Sequence, residues 1–225
     1  MRHMSLDPRC PRCFMKPALC LCAVLHARAT RHHVRVIVHE IELQKSTNSG
    51  RLLPLLLQNA ELVPYGNEDT PLPPAPWPTS TRPVVIFPLE GAPLLSELVD
   101  DDPRPRTLLM LDGTWHQANR LRKRFLTAHV QFARLPVDVR PSTYQLRQGH
   151  FAGSLSTLEA TARALAILEG PCSGEGDVEA HLLDGFRRMV DRTLWLRGSK
   201  DGVDVYGGLP AGITRHGINS FKVSA

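Results

Sequence analysis

The stretch Leu108-Leu109-Met110-Leu111-Asp112-Gly113-Thr114-Trp115-His116-Gln117-Ala118 decides how the chain is read. Thr107 to Leu111 is an apolar run without alternation, which fits a strand buried on both faces, and such strands belong to parallel sheets covered by helices. The run delivers Asp112 to its C-terminal end and Gly113 permits a tight turn. Thr114, with Gln117 three residues on, forms a capping box that opens a helix over Thr114–Phe125. A carboxylate is thus placed beside a helix N-terminus. In open parallel sheets the crevice beyond the strand C-termini is where ligands bind, and free N–H groups there suit an anionic ligand group. The plainer alternative stays open: Asp112 helps to cap the helix and Trp115 is core.

Working outward, Val34, Val36 and Val38 lie in a β-branched run that reads as a first strand ending at His39. Val84 to Phe87 and Val130 to Leu135 read as further strands. Asn48–Asn59 is leucine-rich and is expected to be helical from about Arg51, with Pro54 in the first turn, where its missing N–H costs least. Later helices are expected over Ser156–Glu169 and Val178–Arg197. Ser156 and Glu159 form a second capping box, in a loop whose small hydroxyl residues let backbone approach a cofactor; ordinary capping explains them equally well. Prolines 64, 71, 73, 74, 76, 78 and 83 mark an extended surface connection. Strands alternating with helices give an α/β domain with a largely parallel sheet.

The polar segment His39–Arg51 reads as a loop at a sheet edge, where Lys45 and Arg51 meet phosphate or simply face water. No Gly-x-x-x-x-Gly-Lys-Ser/Thr or Gly-x-Gly-x-x-Gly pattern occurs, which argues against a phosphate loop or a dinucleotide fingerprint. The chain has 225 residues, 42% hydrophobic and 22% charged, enough for one ordinary core. Gly 16 and Pro 19 favour many connections over a helical bundle. No apolar stretch approaches the roughly 20 residues that span a bilayer, and Met1–Arg9 lacks the apolar core of a secretory signal, so a cytoplasmic protein is expected. The net charge of +5, with a pI near 9.2, fits a protein that meets phosphate without establishing one. Basic residues gather at Arg120, Arg122, Lys123 and Arg124 and again at Arg187, Arg188, Arg192 and Arg197, either as RNA contacts or as solvated helix faces.

Cys10-x-x-Cys13 followed by Cys20-x-Cys22 supplies four thiols on two tight turns, the donor set of tetrahedral zinc. Two disulfides or four free thiols are the alternatives, the first disfavoured without a secretory signal. Pro11, Arg12 and Lys16 leave open whether such a knuckle touches RNA or is purely structural. Cys172 stands alone and reads as an inert loop or packing residue.

Together these pieces resemble the DTW-domain family, the tRNA-uridine aminocarboxypropyltransferases. The resemblance rests on the cysteine pairs, Lys45-Ser46-Thr47-Asn48-Ser49-Gly50-Arg51, Asp112-Gly113-Thr114-Trp115, Tyr144-Gln145-Leu146-Arg147 and Ser156-Thr157-Leu158-Glu159-Ala160. One departure is Glu40 after His39, where proline is expected. The resemblance implies a SPOUT-like α/β fold, a mostly parallel sheet with a C-terminal trefoil knot, joined to a small N-terminal zinc knuckle. The expected organisation is a cysteine module over 1–30, a catalytic domain over 31–200 and a tail over 201–225. It implies S-adenosylmethionine as donor of a 3-amino-3-carboxypropyl group to the imide nitrogen of a tRNA uridine, with release of methylthioadenosine. Asp112, Thr114 and Trp115 become the expected catalytic residues. Phe87, Pro88, Leu89, Gly91, Leu111, Gly113, Leu155, Ser156, Thr157 and Glu159 are expected around the donor, and Lys45, Asn48, Arg51, Arg120, Lys123 and Arg147 against tRNA. Zinc would sit on Cys10, Cys13, Cys20 and Cys22. No membrane and no protein partner is implied. A SPOUT-type methyltransferase using the same donor and a non-catalytic zinc-ribbon RNA-binding protein are the competing classes.

Overall fold

The computed structural model describes residues 8–66, 71–98, 102–137, 142, 144–146, 154–170, 177–215 and 218. Among these, five strands form one sheet: β1 (His33–His39), β2 (Ala60–Tyr65), β3 (Arg82–Ile86), β4 (Arg106–Asp112) and β5 (Gln131–Ala133). Their order is β2-β1-β4-β3-β5 and every pairing is parallel. The helices are α1 (Glu40–Leu43), α2 (Leu53–Leu56), α3 (Trp115–Thr127), α4 (Thr157–Glu169) and α5 (Val178–Leu196). The expected α/β class with a mostly parallel sheet is what the chain adopts.

The central strands explain their own composition. Successive side chains leave a strand on opposite faces. Val34, Val36, Val38, Leu108, Met110, Val84 and Ile86 join a core with Leu158 and Leu165 of α4 and Leu182 and Phe186 of α5. Ile37, Leu109 and Val85 pack on the other face against Ala118, Leu121 and Phe125 of α3. The middles of β3 and β4 are dry on both faces and carry no polar alternation; β1 keeps Arg35 between its valines, paired with Glu61 of β2 at 3.0 Å. The i, i+3, i+7 spacing of the α3 anchors leaves His116, Arg120 and Arg124 exposed on a different stripe.

Leu19 and Leu21 of the cysteine segment are fully buried in the α4/α5 core. Arg192 of α5 donates to the carbonyls of Leu19 (3.2 Å) and Cys20 (2.9 Å), fixing that segment to the body. Beyond α5 the chain folds back: the Tyr206 backbone N–H donates to Asp191 Oδ2 (2.9 Å) and its hydroxyl to Asp184 Oδ1 (2.5 Å).

Three local readings need correction. The segment 39–51 is not a loop at a sheet edge, because β1 has neighbours on both sides and the segment begins with α1. His39 caps that helix, its Nδ1 accepting the Ile41 N–H (3.3 Å), which makes Glu40 the first helical residue. Proline and acidic residues both suit that position, so Glu40 in place of proline keeps the turn. The leucine-rich helix ends at Leu56, since Leu57 is extended and the chain enters β2. β2 is hidden in the sequence by Pro64, which an edge strand accommodates because one side has no ladder to complete.

Candidate active site

The chain lays β2 on one side of β1, then crosses to build β3 and returns to insert β4 between them, so the sheet reverses direction of growth between β1 and β4. Asp112 lies at that point, level with Val38. Ligands of open parallel sheets gather at such a reversal, outside the strand C-termini.

The Asp112 carboxylate is 6% exposed and turned inward. Its Oδ2 accepts from Asn48 Nδ2 at 2.7 Å and its Oδ1 from Thr157 Oγ1 at 2.9 Å. The sequence places Asp112 beside the start of α3; the structure sets its carboxylate against the first residue of α4 and the turn at 48–50. Gly50 makes this approach possible, since a Cβ there would lie 2.7 Å from Asp112 Oδ2 and 3.0 Å from Val36 Cγ1. These two bonds fix the orientation of both carboxylate oxygens.

Both capping boxes form as read. Thr114 N–H donates to Gln117 Oε1 (2.7 Å) while Gln117 N–H donates to Thr114 Oγ1 (3.3 Å). Gly113 leaves room for that glutamine, whose Cβ and Oε1 lie 3.0 Å from where a Cβ would stand. At α4, Ser156 N–H donates to Glu159 Oε2 (2.8 Å) and Glu159 N–H to Ser156 Oγ (3.3 Å). Glu159 is buried and also accepts the Ser142 hydroxyl at 2.8 and 2.9 Å. Tyr144 donates its hydroxyl to the Thr47 carbonyl and its ring tilts against Phe186, so Ser142 and Tyr144 tie α4 and α5 to the 47–50 turn.

Trp115 is 40% exposed and stacks on Phe87, centroids 5.3 Å apart and planes 12° from parallel. This joins the loop after β3, with Pro88, Leu89 and Gly91, to the start of α3. Trp115 is therefore a surface ring on an aromatic neighbour and not core. Leu111 and Leu155 are half-buried.

Of the residues expected to meet tRNA, Asn48 and Arg51 are turned inward. Asn48 is 3% exposed, with its Oδ1 accepting the Arg51 N–H (2.9 Å) and its amide holding Asp112. Arg51 donates to the Leu43 carbonyl and stacks on the Phe14 ring at 4.3 Å. Its burial lowers its pKa, which the nearby charges of Cys13 and Asp112 oppose. Lys45 pairs with the fully buried Glu42. Arg120 and Lys123 are exposed on α3. Arg147 and Cys172 lie outside the described residues.

The four N-terminal cysteines converge, all four sulfurs lying within 4.8 Å of one another and none in a disulfide. Cys10 and Cys22 are 3.6 Å apart and Cys13 and Cys20 3.7 Å. A tetrahedron with Zn–S bonds of about 2.3 Å has edges of about 3.8 Å, so the donor set fits the metal with no position left open. Phe14 takes a left-handed φ of 59° to close the first turn, and the Leu21 N–H points at Cys13 Sγ (3.5 Å). Burial opposes ionisation of Cys10, but the N–H groups of Cys13 and Arg12 and the neighbouring thiols outweigh it and bring it to about 6. Burial, then the Cys10 and Cys20 sulfurs, push Cys22 up to about 12. Thiolates so close together call for a cation. The knuckle reaches the carboxylate through Phe14 and Arg51.

The sequence alone does not reveal the partners of Asp112. Asn48 carries only a generic signal of polarity, and no local pattern links it to a residue 64 positions away.

A parallel α/β sheet with a buried carboxylate at its point of reversal and a four-cysteine knuckle packed beside it defines a class of protein. Residues 7–194 match the model of the DTW domain, and the chain belongs to that family. It is 32% identical over 170 residues, 72% of this chain and 57% of the other, to tRNA-uridine aminocarboxypropyltransferase 2 of Macaca fascicularis. It is 29% identical over 181 residues, 75% and 59% of the two chains, to the protein of that name from Mus musculus. Identity to tRNA-uridine aminocarboxypropyltransferase A of Arabidopsis thaliana is 26% over 211 residues, 80% and 79% of the two. The matched region thus spans less than two thirds of the two animal relatives. No solved structure matches. Among the described residues no helix is long and apolar enough to cross a membrane.

Proposed function

We propose that this chain is a tRNA-uridine aminocarboxypropyltransferase that moves the 3-amino-3-carboxypropyl group of S-adenosylmethionine to the imide nitrogen, N3, of a uridine. The names of its relatives support the reaction, and one observation supports the place: Asp112, held by Asn48 and Thr157 at the reversal of the sheet. The donor supplies a carbon bound to a sulfonium sulfur, and that sulfur leaves as methylthioadenosine when N3 takes the carbon.

The residues divide the work. A protonated imide nitrogen is a poor nucleophile, so Asp112 orients and accepts its proton, with Asn48, Thr157 and the bare Cα of Gly50 keeping the carboxylate aimed. Thr114 and Trp115 flank the reacting centre. The donor carries a sulfonium, an ammonium and one carboxylate, a net positive charge, and the buried carboxylate of Glu159 in the first turn of α4 suits it. Phe87, Pro88, Leu89, Gly91, Leu111, Gly113 and Leu155–Thr157 line its berth, with the Trp115–Phe87 pair as a flat apolar wall. Lys45, Arg120, Lys123 and Arg147 face tRNA, whose uridine leaves its stack to reach Asp112. Cys10, Cys13, Cys20 and Cys22 hold zinc in a closed site that supplies structure and no open coordination position.

A SPOUT-like relationship with a C-terminal knot, the division at about residues 30 and 200, and a cytoplasmic location complete the proposal. The test is methylthioadenosine release by the full chain with S-adenosylmethionine and unmodified tRNA. Release that depends on tRNA and matches the uridine modified supports the assignment; tRNA-independent or absent release overturns it.

A further inference from the structure

A recess of about 410 Å³ opens beside the strand ends, between the ends of β1 and β2 and the polar face of α3. Its lining includes His39, Tyr65, His116, Gln117, Arg120 and Arg124. His116, Arg120 and Arg124 repeat every four residues, so they stack as one stripe on α3. Among the described residues, the side chains of His116, Arg120 and Arg124 have no hydrogen-bond or ion-pair partner, and no carboxylate lines the recess. On the opposite wall the His39 and Tyr65 rings meet edge to face at 5.2 Å. Gly66 follows at a φ of +128°, where a Cβ would stand 2.9 Å from the His39 ring. Local geometry thus keeps this wall bare.

We propose that this recess binds a backbone phosphodiester of the tRNA next to the target uridine, with Arg120 and Arg124 as the charged clamp. The inference rests on the tRNA reading above. Two permanent cations and two imidazoles around one concavity suit an oxyanion, and guanidinium groups match phosphate geometry in bidentate fashion. The same charge is wrong for the donor, which is itself net positive. His39 follows Val38, the partner of Asp112 in the sheet, so the recess opens at the same end of the sheet as the carboxylate, on the face covered by α3. Burial, and next the Asp112 charge, raise the pKa of Tyr65, which keeps its hydroxyl a donor at neutral pH.

The test measures affinity of the full chain for unmodified tRNA by fluorescence anisotropy across a range of KCl. Arg120→Ala/Arg124→Ala is expected to weaken binding about ten- to a hundredfold near 100 mM salt. It should also flatten the log–log salt dependence by roughly 0.7–0.9, as loss of one neutralised phosphate requires. Arg120→Lys/Arg124→Lys keeps the slope and loses part of the affinity. Arg197→Ala, which removes an exposed cation from the end of α5, changes binding less than twofold. Affinity for S-adenosylmethionine, measured by calorimetry, stays within twofold in every variant. If the alanine pair binds tRNA with wild-type affinity and slope while wild-type protein still modifies uridine, the recess assignment fails and the function stands. If donor affinity falls with tRNA affinity, or Arg197→Ala costs as much as the clamp, the assignment fails as well. Wild-type protein without affinity for tRNA removes the reading on which both rest.

Discussion

Replacing Gly50 by alanine tests how tightly the carboxylate is held. The added Cβ would lie 2.7 Å from Asp112 Oδ2, 3.0 Å from Val36 Cγ1 and 3.4 Å from Thr157 Cγ2. Val36 is fully buried in a central strand, so the carboxylate or the turn must give. Moving Oδ2 out to ordinary contact stretches the 2.7 Å bond from Asn48. A hydrogen bond to a charged group is worth about 1.5–3 kcal/mol, and overpacking a core costs about 1–3 kcal/mol. The two overlap, giving a loss of about 3 kcal/mol, or a fall of about 6–12 °C in Tm for a chain of this size. A catalytic group displaced by close to 1 Å costs roughly a hundredfold in rate. Gly202→Ala, whose nearest neighbours lie at 3.4 Å, is the control and should change neither quantity. Thermal unfolding and single-turnover transfer to tRNA read the two effects. Gly50→Ala with wild-type Tm and a rate within twofold of wild type refutes the reasoning.

Asp112→Asn is expected to bind S-adenosylmethionine within a few-fold of wild type while single-turnover transfer falls by about 10²–10⁴, the usual range for loss of a positioned proton acceptor; a wild-type rate refutes the role. Asp112→Ala strands the buried Asn48 amide and should cost a further loss of stability of about 1–3 kcal/mol, measured by urea unfolding. The native chain should carry one zinc by elemental analysis, and Cys10→Ser/Cys13→Ser should lose it together with several degrees of Tm; unchanged metal content sinks the assignment. Burial, then the Arg31 and Arg106 charges, hold the His32 pKa below the ordinary histidine value against the opposing pull of Glu169. Its Nδ1 accepts the Arg106 N–H (3.0 Å) and must be unprotonated to do so. The unfolded chain therefore binds an extra proton below about pH 6.5. Stability should be full above that pH and fall as pH drops through it, so a urea midpoint equal at pH 5.5 and 7.5 refutes the account.

Legibility in the sequence followed the range of the interactions. β3 and β4 announce themselves because burial on both faces leaves their middles apolar, β1 through its β-branched run, and α3 and α4 because their capping boxes are local and form as read. β2 does not, since Pro64 signals a break and only the edge position in the sheet makes it harmless. α1 is a single turn capped by a histidine, outside the usual capping residues. At the site, the cysteine knuckle is visible as spacing and Asp112 as the end of a strand. That Asp112 faces α4, and that Asn48 and Arg51 turn inward, comes from contacts 45, 64 and 37 residues apart, from Thr157 and Asn48 to Asp112 and from Phe14 to Arg51. The basic run on α3 was legible as charge. Its division into a stripe over a recess needed the ends of β1 and β2 beside it.

The central claim is that the carbon chain of the donor, and not its methyl group, reaches a tRNA uridine. The direct measurement uses S-adenosylmethionine labelled separately in its carboxyl and methyl carbons with unmodified tRNA, followed by nucleoside digestion. The account predicts carboxyl label on uridine, no methyl label in the RNA, and stoichiometric methylthioadenosine. Methyl label in the tRNA, or carboxyl label absent from uridine, would contradict it.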